Sequence, residues 1–219
     1  MPRVSRQQTD NNRLAIEEAS SRLFREQGIK AVSVADLMAA AGLTHGGFYG
    51  HFESKDALAA VACARAFDQS AERWEKRVAG KTESAAALAG LVEGYLSVNS
   101  RNNPGSGCPI AGLATDVARE PADKPIHAAY VDGLKRLIDI MLGAQTEPGA
   151  EPDRGAGLAQ MATLVGAMVL ARATRGDALS DEILAAARAH LLPVAAANSS
   201  PVDKPPRARK SPAVRKPVH

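Results

Sequence analysis

The stretch "AGLTHGGFYGHFESKDAL", residues 41–58, sets Gly46, Gly47 and Gly50 beside His45, Tyr49 and His51 in a segment whose flanks have helical periodicity. Glycine inside a helix costs roughly 0.5–1 kcal/mol relative to alanine, so this clustering calls for a reason other than helix stability. Phe48 and Phe52 lie one helical turn apart and, with Leu43, form an apolar anchor. Thr44, His45, Gly46, Gly47, Tyr49, Gly50 and His51 are then left on or near the open side. Glycine there lets another backbone approach closely, and the free N–H groups at the start of a helix suit phosphate.

Upstream, Ala15, Ile16, Ala19, Leu23 and Phe24 recur at helical spacing until Gly28 ends the first helix. Ser33 reads as an N-cap with Asp36 as its capping-box acid, opening a short helix through Val34, Leu37 and Met38 that stops at Gly42. Thr44 is expected to cap the next short helix, and Ser54 a long one containing Leu58, Val61, Phe67 and Trp74. A short helix, a turn at Gly42 and a second short helix form the pattern of a helix-turn-helix, whose second member enters the DNA major groove. The expected DNA-binding set is Ser33, Thr44, His45, Gly46, Gly47, Tyr49, His51 and Lys55. Thr44 and His45 are placed for base edges, and Tyr49, His51 and Lys55 for sugar-phosphate. The plainer alternative is that Tyr49 and the histidines merely decorate a short surface helix.

Residues 13–61, "RLAIEEASSRLFREQGIKAVSVADLMAAAGLTHGGFYGHFESKDALAAV", resemble the DNA-binding domain of TetR-family transcriptional regulators. The resemblance lies in Leu23-Phe24, the Gly28 stop, Ser33-Val34, Ala41-Gly42, Phe48-Tyr49, His51-Phe52 and Ser54-Lys55, all in order and at matching spacing. It implies an all-α homodimer with an N-terminal helix-turn-helix and a larger helical domain that binds a small-molecule inducer and releases a double-stranded DNA operator. The chain departs from the family at Gly47, where a small hydroxyl or alanine is common, and at Gly50, where a bulkier residue often follows the tyrosine. With two base-reading side chains missing, specificity is expected to lean on Thr44, His45, DNA shape and an arm carrying Arg3 and Arg6.

Beyond this region helices are expected over 84–100, 109–119, 125–143, 154–175 and 180–192, separated by breaks rich in Gly, Pro, Asp or Asn. The uncharged run from Gly155 to Ala171 falls short of the ~20 apolar residues of a membrane span and reads as a buried helix, so no membrane partner is expected. It and the 180–192 helix suit a four-helix dimer interface, or alternatively the core of a monomer.

Composition bounds the function. The formal charge of +3 conceals a basic, Pro-rich tail in which Lys204, Arg207, Arg209, Lys210, Arg215 and Lys216 face the single acid Asp203. Residues 1–197 carry 21 basic and 23 acidic groups, so any nucleic-acid surface there depends on placement rather than on net charge. The tail reads as disordered, either solubilising or a non-specific phosphate contact. Two cysteines, Cys63 and Cys108, and no apolar stretch after Met1 leave a reducing cytoplasm as the expected location.

Neither a catalytic set, a metal-ligand set nor a cofactor motif is legible. Cys108 and His127 are separated by loops and have no identifiable third partner. Cys108 instead reads as the N-cap of a helix begun by Pro109, where the dipole favours a thiolate and "NNPGSG" is expected to be a mobile loop exposing it. Cys108, Trp74 and Tyr95 are the expected ligand- or redox-sensing residues, with a reversible apolar inducer favoured over a thiol switch. The expected organisation is an arm over 1–9, a helix-turn-helix domain over 10–56, a ligand-binding and dimerisation domain over 57–197 and the tail over 198–219. The rival reading is an architectural DNA-binding protein of low sequence specificity.

Overall fold

The structure, a computed structural model, describes residues 6–147 and 149–192. Among these the chain is all-α: α1 (Arg6–Gln27), α2 (Val34–Ala40), α3 (Lys55–Val78), α4 (Ser84–Tyr95), α5 (Val98–Asn102), α6 (Pro109–Arg119), α7 (Pro125–Gln145), α8 (Arg154–Ala173) and α9 (Ala178–Leu191). Two 3-10 helices, His45–Gly50 and Pro104–Ser106, complete the described secondary structure.

Helix α1 buries Ile16, Ala19, Leu23 and Phe24 and ends at Gly28, whose φ of 88° is left-handed. Helix α2 has 7 residues, too few to hold itself together, and is fastened at both ends. Its start is the expected capping box: Asp36 N–H donates to Ser33 Oγ at 3.1 Å and Ser33 N–H to the Asp36 carboxylate at 2.9 Å. Its end is a Schellman turn, with Leu43 N–H donating to Met38 O at 2.8 Å and Gly42 N–H to Ala39 O at 3.0 Å. Gly42 sits at φ 72° there. Leu37, Met38, Phe48 and Phe52 then close the small core.

The element after that turn is a 3-10 helix, not the capped α-helix the sequence suggests. Thr44 occupies its N-cap position with no side-chain cap bond, and Gly47 N–H returns to Thr44 O at 3.1 Å. Gly46, Gly47 and Gly50 within 6 residues remove the propensity that would sustain an α-helix, and the tighter winding suffices for one short turn.

Helix α3 starts on its expected cap, Ala57 N–H donating to Ser54 Oγ at 3.0 Å, and continues unbroken past residues 56 and 57. One continuous helix therefore joins the small N-terminal core to the larger helical part. It packs against α1 and, along much of its length, against α7. The α3–α7 approach is close at Gly133, where a Cβ would lie 2.1 Å from Phe67 Cγ.

Several expected boundaries shift. Residues 6–9, assigned to an arm, form the first turn of α1 and include Arg6, whereas Arg3 and the basic tail lie outside the described residues. The 84–100 helix divides into α4 and α5 because Ser97 caps a new helix, accepting from Ser100 N–H at 3.1 Å. The "NNPGSG" segment is not an open loop: it ends α5, forms the Pro104–Ser106 helix and packs on α1, with Gly105 buried against Glu26 and Arg22. The apolar α8 was expected to be buried, yet it buries one stripe (Gly157, Met161, Leu164, Ala167, Met168, Ala171) and exposes Leu158, Val169 and Leu170. By length and composition α8 could cross a membrane, with 33% of its most apolar window buried in the fold.

Candidate nucleic-acid interface and effector cavity

Thr44, His45, Gly46, Gly47 and Tyr49 are all exposed on the short 3-10 helix, while Phe48 beneath them is fully buried. Tyr49 is 71% exposed and meets Phe48 edge-on at 5.2 Å, which holds its ring over the core with its hydroxyl free to reach outward. His51 and Lys55 lie half-buried beside it. Ser33 is exposed, but its hydroxyl is committed to capping α2, and its hydrogen bonds hold the Asp36 carboxyl below its ordinary range. The expected DNA-binding side chains thus share one end of the molecule, Ser33 with a structural duty as well.

The glycines are informative because nothing inside the protein demands them. None of Gly46, Gly47 or Gly50 has a positive φ. A Cβ at Gly46 or Gly50 would meet no atom within 4 Å, and at Gly47 only Met38 Cε at 3.5 Å, an ordinary contact. Since neither backbone conformation nor packing requires glycine, the space these positions keep clear is on the outer surface.

Sequence reading missed Arg13. Its guanidinium stacks 4.4 Å from the Phe52 ring centroid and donates to the His51 carbonyl at 2.7 Å, pinning the end of the His45–Gly50 helix to α1. Only the tertiary structure brings these residues together, so periodicity carried no sign of it.

Trp74, Tyr95 and Cys108 do meet, in one small cavity of about 30 Å³ bounded by α3, α4, α8 and the Gly107–Cys108 corner. Trp74 and Tyr95 pack edge to face at 6.1 Å. Cys108 is the N-cap of α6 as expected, but it is buried rather than exposed, and burial raises its thiol pKa. The Ile110 and Ala111 amides at the helix start oppose that rise without overcoming it. The Pro104–Ser106 helix, folded onto α1, is what replaces the expected mobile loop upstream of the sulfur. The Tyr95 hydroxyl, buried and pushed up chiefly by desolvation, faces the Cys108 sulfur in a geometry that does not make a hydrogen bond.

The cavity also contains three arginines that the sequence reading overlooked: Arg73 and Arg77 from α3, one turn apart, and Arg172 from α8. Burial lowers the pKa of each. The spacing of Ser70, Arg73, Trp74 and Arg77 along one helical face was the available signal. Outside the cavity lining, Arg25 of α1 is 5% exposed, and desolvation brings its pKa down to about 10. It donates to Ser21 O at 2.9 Å, Gln69 Oε1 at 3.1 Å and Gly107 O at 2.9 Å.

Helix α6 connects the two regions. Its N-terminal end borders the cavity at Cys108, and further along Asp116 accepts from Ile29 N–H at 3.2 Å, at the turn between α1 and α2. Just beyond α6, Glu120 pairs with Lys30 at 3.2 Å, and Lys124 pairs with Asp56 at the start of α3.

Comparison with known proteins agrees with this geometry. Residues 16–62 match the family described as bacterial regulatory proteins, tetR family. The chain is 31% identical over 80 residues to the HTH-type transcriptional repressor KstR2 of Rhodococcus jostii, a match spanning 36% of this chain and 39% of that protein. It is 36% identical over 58 residues to the HTH-type transcriptional regulator AcrR of Shigella flexneri, spanning 26% and 27% of the two chains. A solved TetR transcriptional regulator from Chloroflexus aurantiacus superposes with a TM-score of 0.67 at 26% identity, covering 85% of this chain and 94% of that one. The curated matches concentrate on a minority of each relative's length, whereas the structural match takes in both the reading elements and the helices around the cavity. Residues 16–62 thus match the DNA-binding region of the tetR family, and the fold as a whole is similar to that of a solved TetR transcriptional regulator.

Proposed function

We propose that this protein is a cytoplasmic transcriptional repressor that grips an inverted-repeat DNA operator as a homodimer and releases it when a small molecule occupies the Trp74–Tyr95–Cys108 cavity. The observation that carries the reading is the exposed His45–Gly50 helix, whose glycines answer no internal need and whose Thr44, His45 and Tyr49 face outward. Backbone approach at these glycines brings N–H groups to phosphate, while His45 and Thr44 meet base edges.

Support for two copies comes from α8 and α9, where Leu158, Val169, Leu170 and Leu179 stay exposed on helices otherwise packed against each other. Support for ligand control comes from α6, because a change of packing at Cys108 is transmitted along a short helix to the hydrogen bond between Asp116 and Ile29. Two copies joined through α8 and α9 convert such a tilt into a change of spacing between their reading helices.

The test is selection of bound fragments from a random double-stranded DNA pool, followed by footprinting. A short protected inverted repeat, with half-site centres about one helical turn or a multiple apart, is expected. Broad protection without a consensus would favour an architectural protein, and an absence of bound DNA would overturn both readings.

A further inference from the structure

We propose that the cavity binds the oxyanion of a small organic acid, held by Arg73, Arg77, Arg172 and the Tyr95 hydroxyl with Trp74 as an apolar wall. The proposal rests on the reading of this cavity as an effector site and specifies what enters it. It replaces the apolar inducer expected from sequence, because the lining is cationic.

The first argument is charge. Arg73, Arg77 and Arg172 all line the cavity, yet among the described residues none forms an ion pair with a carboxylate. Glu72, whose field reaches Arg73, makes no salt bridge with it. Cys108 is no counter-ion either, since burial keeps its thiol protonated at neutral pH. Partly buried cations without a partner are costly, and a bound anion removes that cost.

The second argument is hydrogen bonding. Arg172 Nη2 donates to Ser100 O at 3.0 Å and Arg73 Nη2 to Ser70 Oγ at 2.8 Å, contacts that fix both groups at the cavity wall. Arg172 Nε and the Tyr95 hydroxyl, however, are buried with no partner. Guanidinium groups only donate, so the cavity has more donors than its few acceptors, Ser70 Oγ and Ser100 O among them, can satisfy. A carboxylate offers about four lone-pair sites on two oxygens and accepts from Arg in a bidentate manner.

The third argument is size. A free volume of about 30 Å³ admits two water-sized atoms, the scale of one carboxylate, and the exposed Ser106 on the lining gives the cavity a rim at the surface. Trp74 and Met168 supply apolar surface for a short hydrocarbon portion. A short-chain monocarboxylate meets these constraints with its carboxylate in the free volume and its hydrocarbon portion directed toward the Ser106 rim.

Trp74 is the one tryptophan in the 219 residues, so its fluorescence reports on this cavity directly. Propionate titrated into the full-length protein without DNA is expected to change that fluorescence saturably, with propionamide, its neutral analogue, at least about tenfold weaker. Tyr95→Phe, which removes only the unpartnered hydroxyl, should weaken propionate about tenfold, and Arg172→Gln should abolish the response in protein shown by circular dichroism to be folded. Equal binding of propionamide and propionate would overturn the proposal, as would saturation by inorganic phosphate with no response to propionate. No saturable response to any of these probes would overturn it too. Operator binding, followed separately by anisotropy of labelled DNA, keeps the two readings apart: propionate that saturates Trp74 without altering DNA affinity supports the anion site and removes the ligand-control reading. Intact DNA binding with a silent Trp74 overturns the anion site and leaves the DNA-binding reading standing.

Discussion

The Arg25 guanidinium on α1 donates to the Gly107 carbonyl at 2.9 Å, across a sequence separation of 82 residues, and so ties α1 to the corner of the cavity lined by Trp74, Tyr95 and Cys108. Gly107 is tightly placed: a Cβ there would lie 2.5 Å from an Arg172 nitrogen and 3.1 Å from Pro104 O. The same guanidinium reaches Ser21 on its own helix and Gln69 on α3, so one buried cation connects three segments. Replacing it removes charge-assisted hydrogen bonds and leaves Gly107 O and Gln69 Oε1 without this donor. Arg25→Met should destabilise the protein by about 2–3 kcal/mol in urea unfolding. A change under about 0.5 kcal/mol would show that the connection is incidental.

Substituting the surface glycines separates folding from DNA contact. At Gly46 and Gly50 an alanine meets no protein atom within 4 Å and no forbidden φ. Thermal stability of Gly46→Ala and Gly50→Ala should therefore be unchanged or slightly raised, by up to about 1 kcal/mol, through reduced freedom of the unfolded chain. Operator affinity should fall, because the methyl groups occupy the space that a DNA backbone would take. Wild-type affinity in both variants would mean that the glycines play no part at the interface.

Contact type makes a second distinction on the same face. Lys55→Ala should weaken binding to operator and scrambled DNA alike and reduce the slope of log K against log salt by about one unit. His45→Ala should relax base preference at one operator position by roughly 1–3 kcal/mol. Parallel losses on operator and scrambled DNA in both variants would remove His45 from the base-reading set.

The reading elements were legible in the sequence because their determinants are local. Ser33 with Asp36, Gly42 and Ser54 act within three or four residues of themselves, and the structure contains each of them as a cap or turn. Trp74, Tyr95 and Cys108 line one cavity, yet neither their meeting nor the character of that cavity was legible. Arg172 reaches it from a helix far along the chain, and the burial of Cys108 depends on tertiary packing rather than on its own helix. Likewise, Gly-rich and Pro-rich spacing suggested an open loop at 102–107, while packing of Gly105 against Glu26 and Arg22 turned it into ordered structure.

Two glycines on α7 test the closeness of its packing on α3. At Gly133 a Cβ would lie 2.1 Å from Phe67 Cγ and 2.4 Å from Cδ2, inside a buried ring that Tyr130 also contacts edge-on at 5.4 Å. Gly133→Ala should destabilise by about 1–3 kcal/mol, since Phe67 must leave its rotamer or α7 must move outward. Gly143→Ala, on the same helix with nothing within 4 Å, should be neutral or stabilising by up to about 1 kcal/mol. Similar Tm values for the two variants would contradict the close approach.

The buried thiols impose a pH dependence whose sign follows from their surroundings. Desolvation raises Cys63 from an ordinary value of 9.0 to about 12, and raises Cys108 as well. In the unfolded chain both thiols ionise near pH 9, while in the folded protein they keep their protons. Above that pH the unfolded state binds fewer protons, so stability falls as pH rises. Each such thiol contributes up to about 1.4 kcal/mol per pH unit until its folded value is reached, and the contribution is absent at neutral pH. Urea unfolding from pH 8 to 11 should therefore show a declining stability, with a shallower decline in Cys63→Ala than in wild type. The same protonation slows alkylation: at pH 7.5 iodoacetamide should label native protein far more slowly than protein in urea. Rapid labelling of native Cys108 at that pH would contradict its burial and restore the thiol switch to consideration.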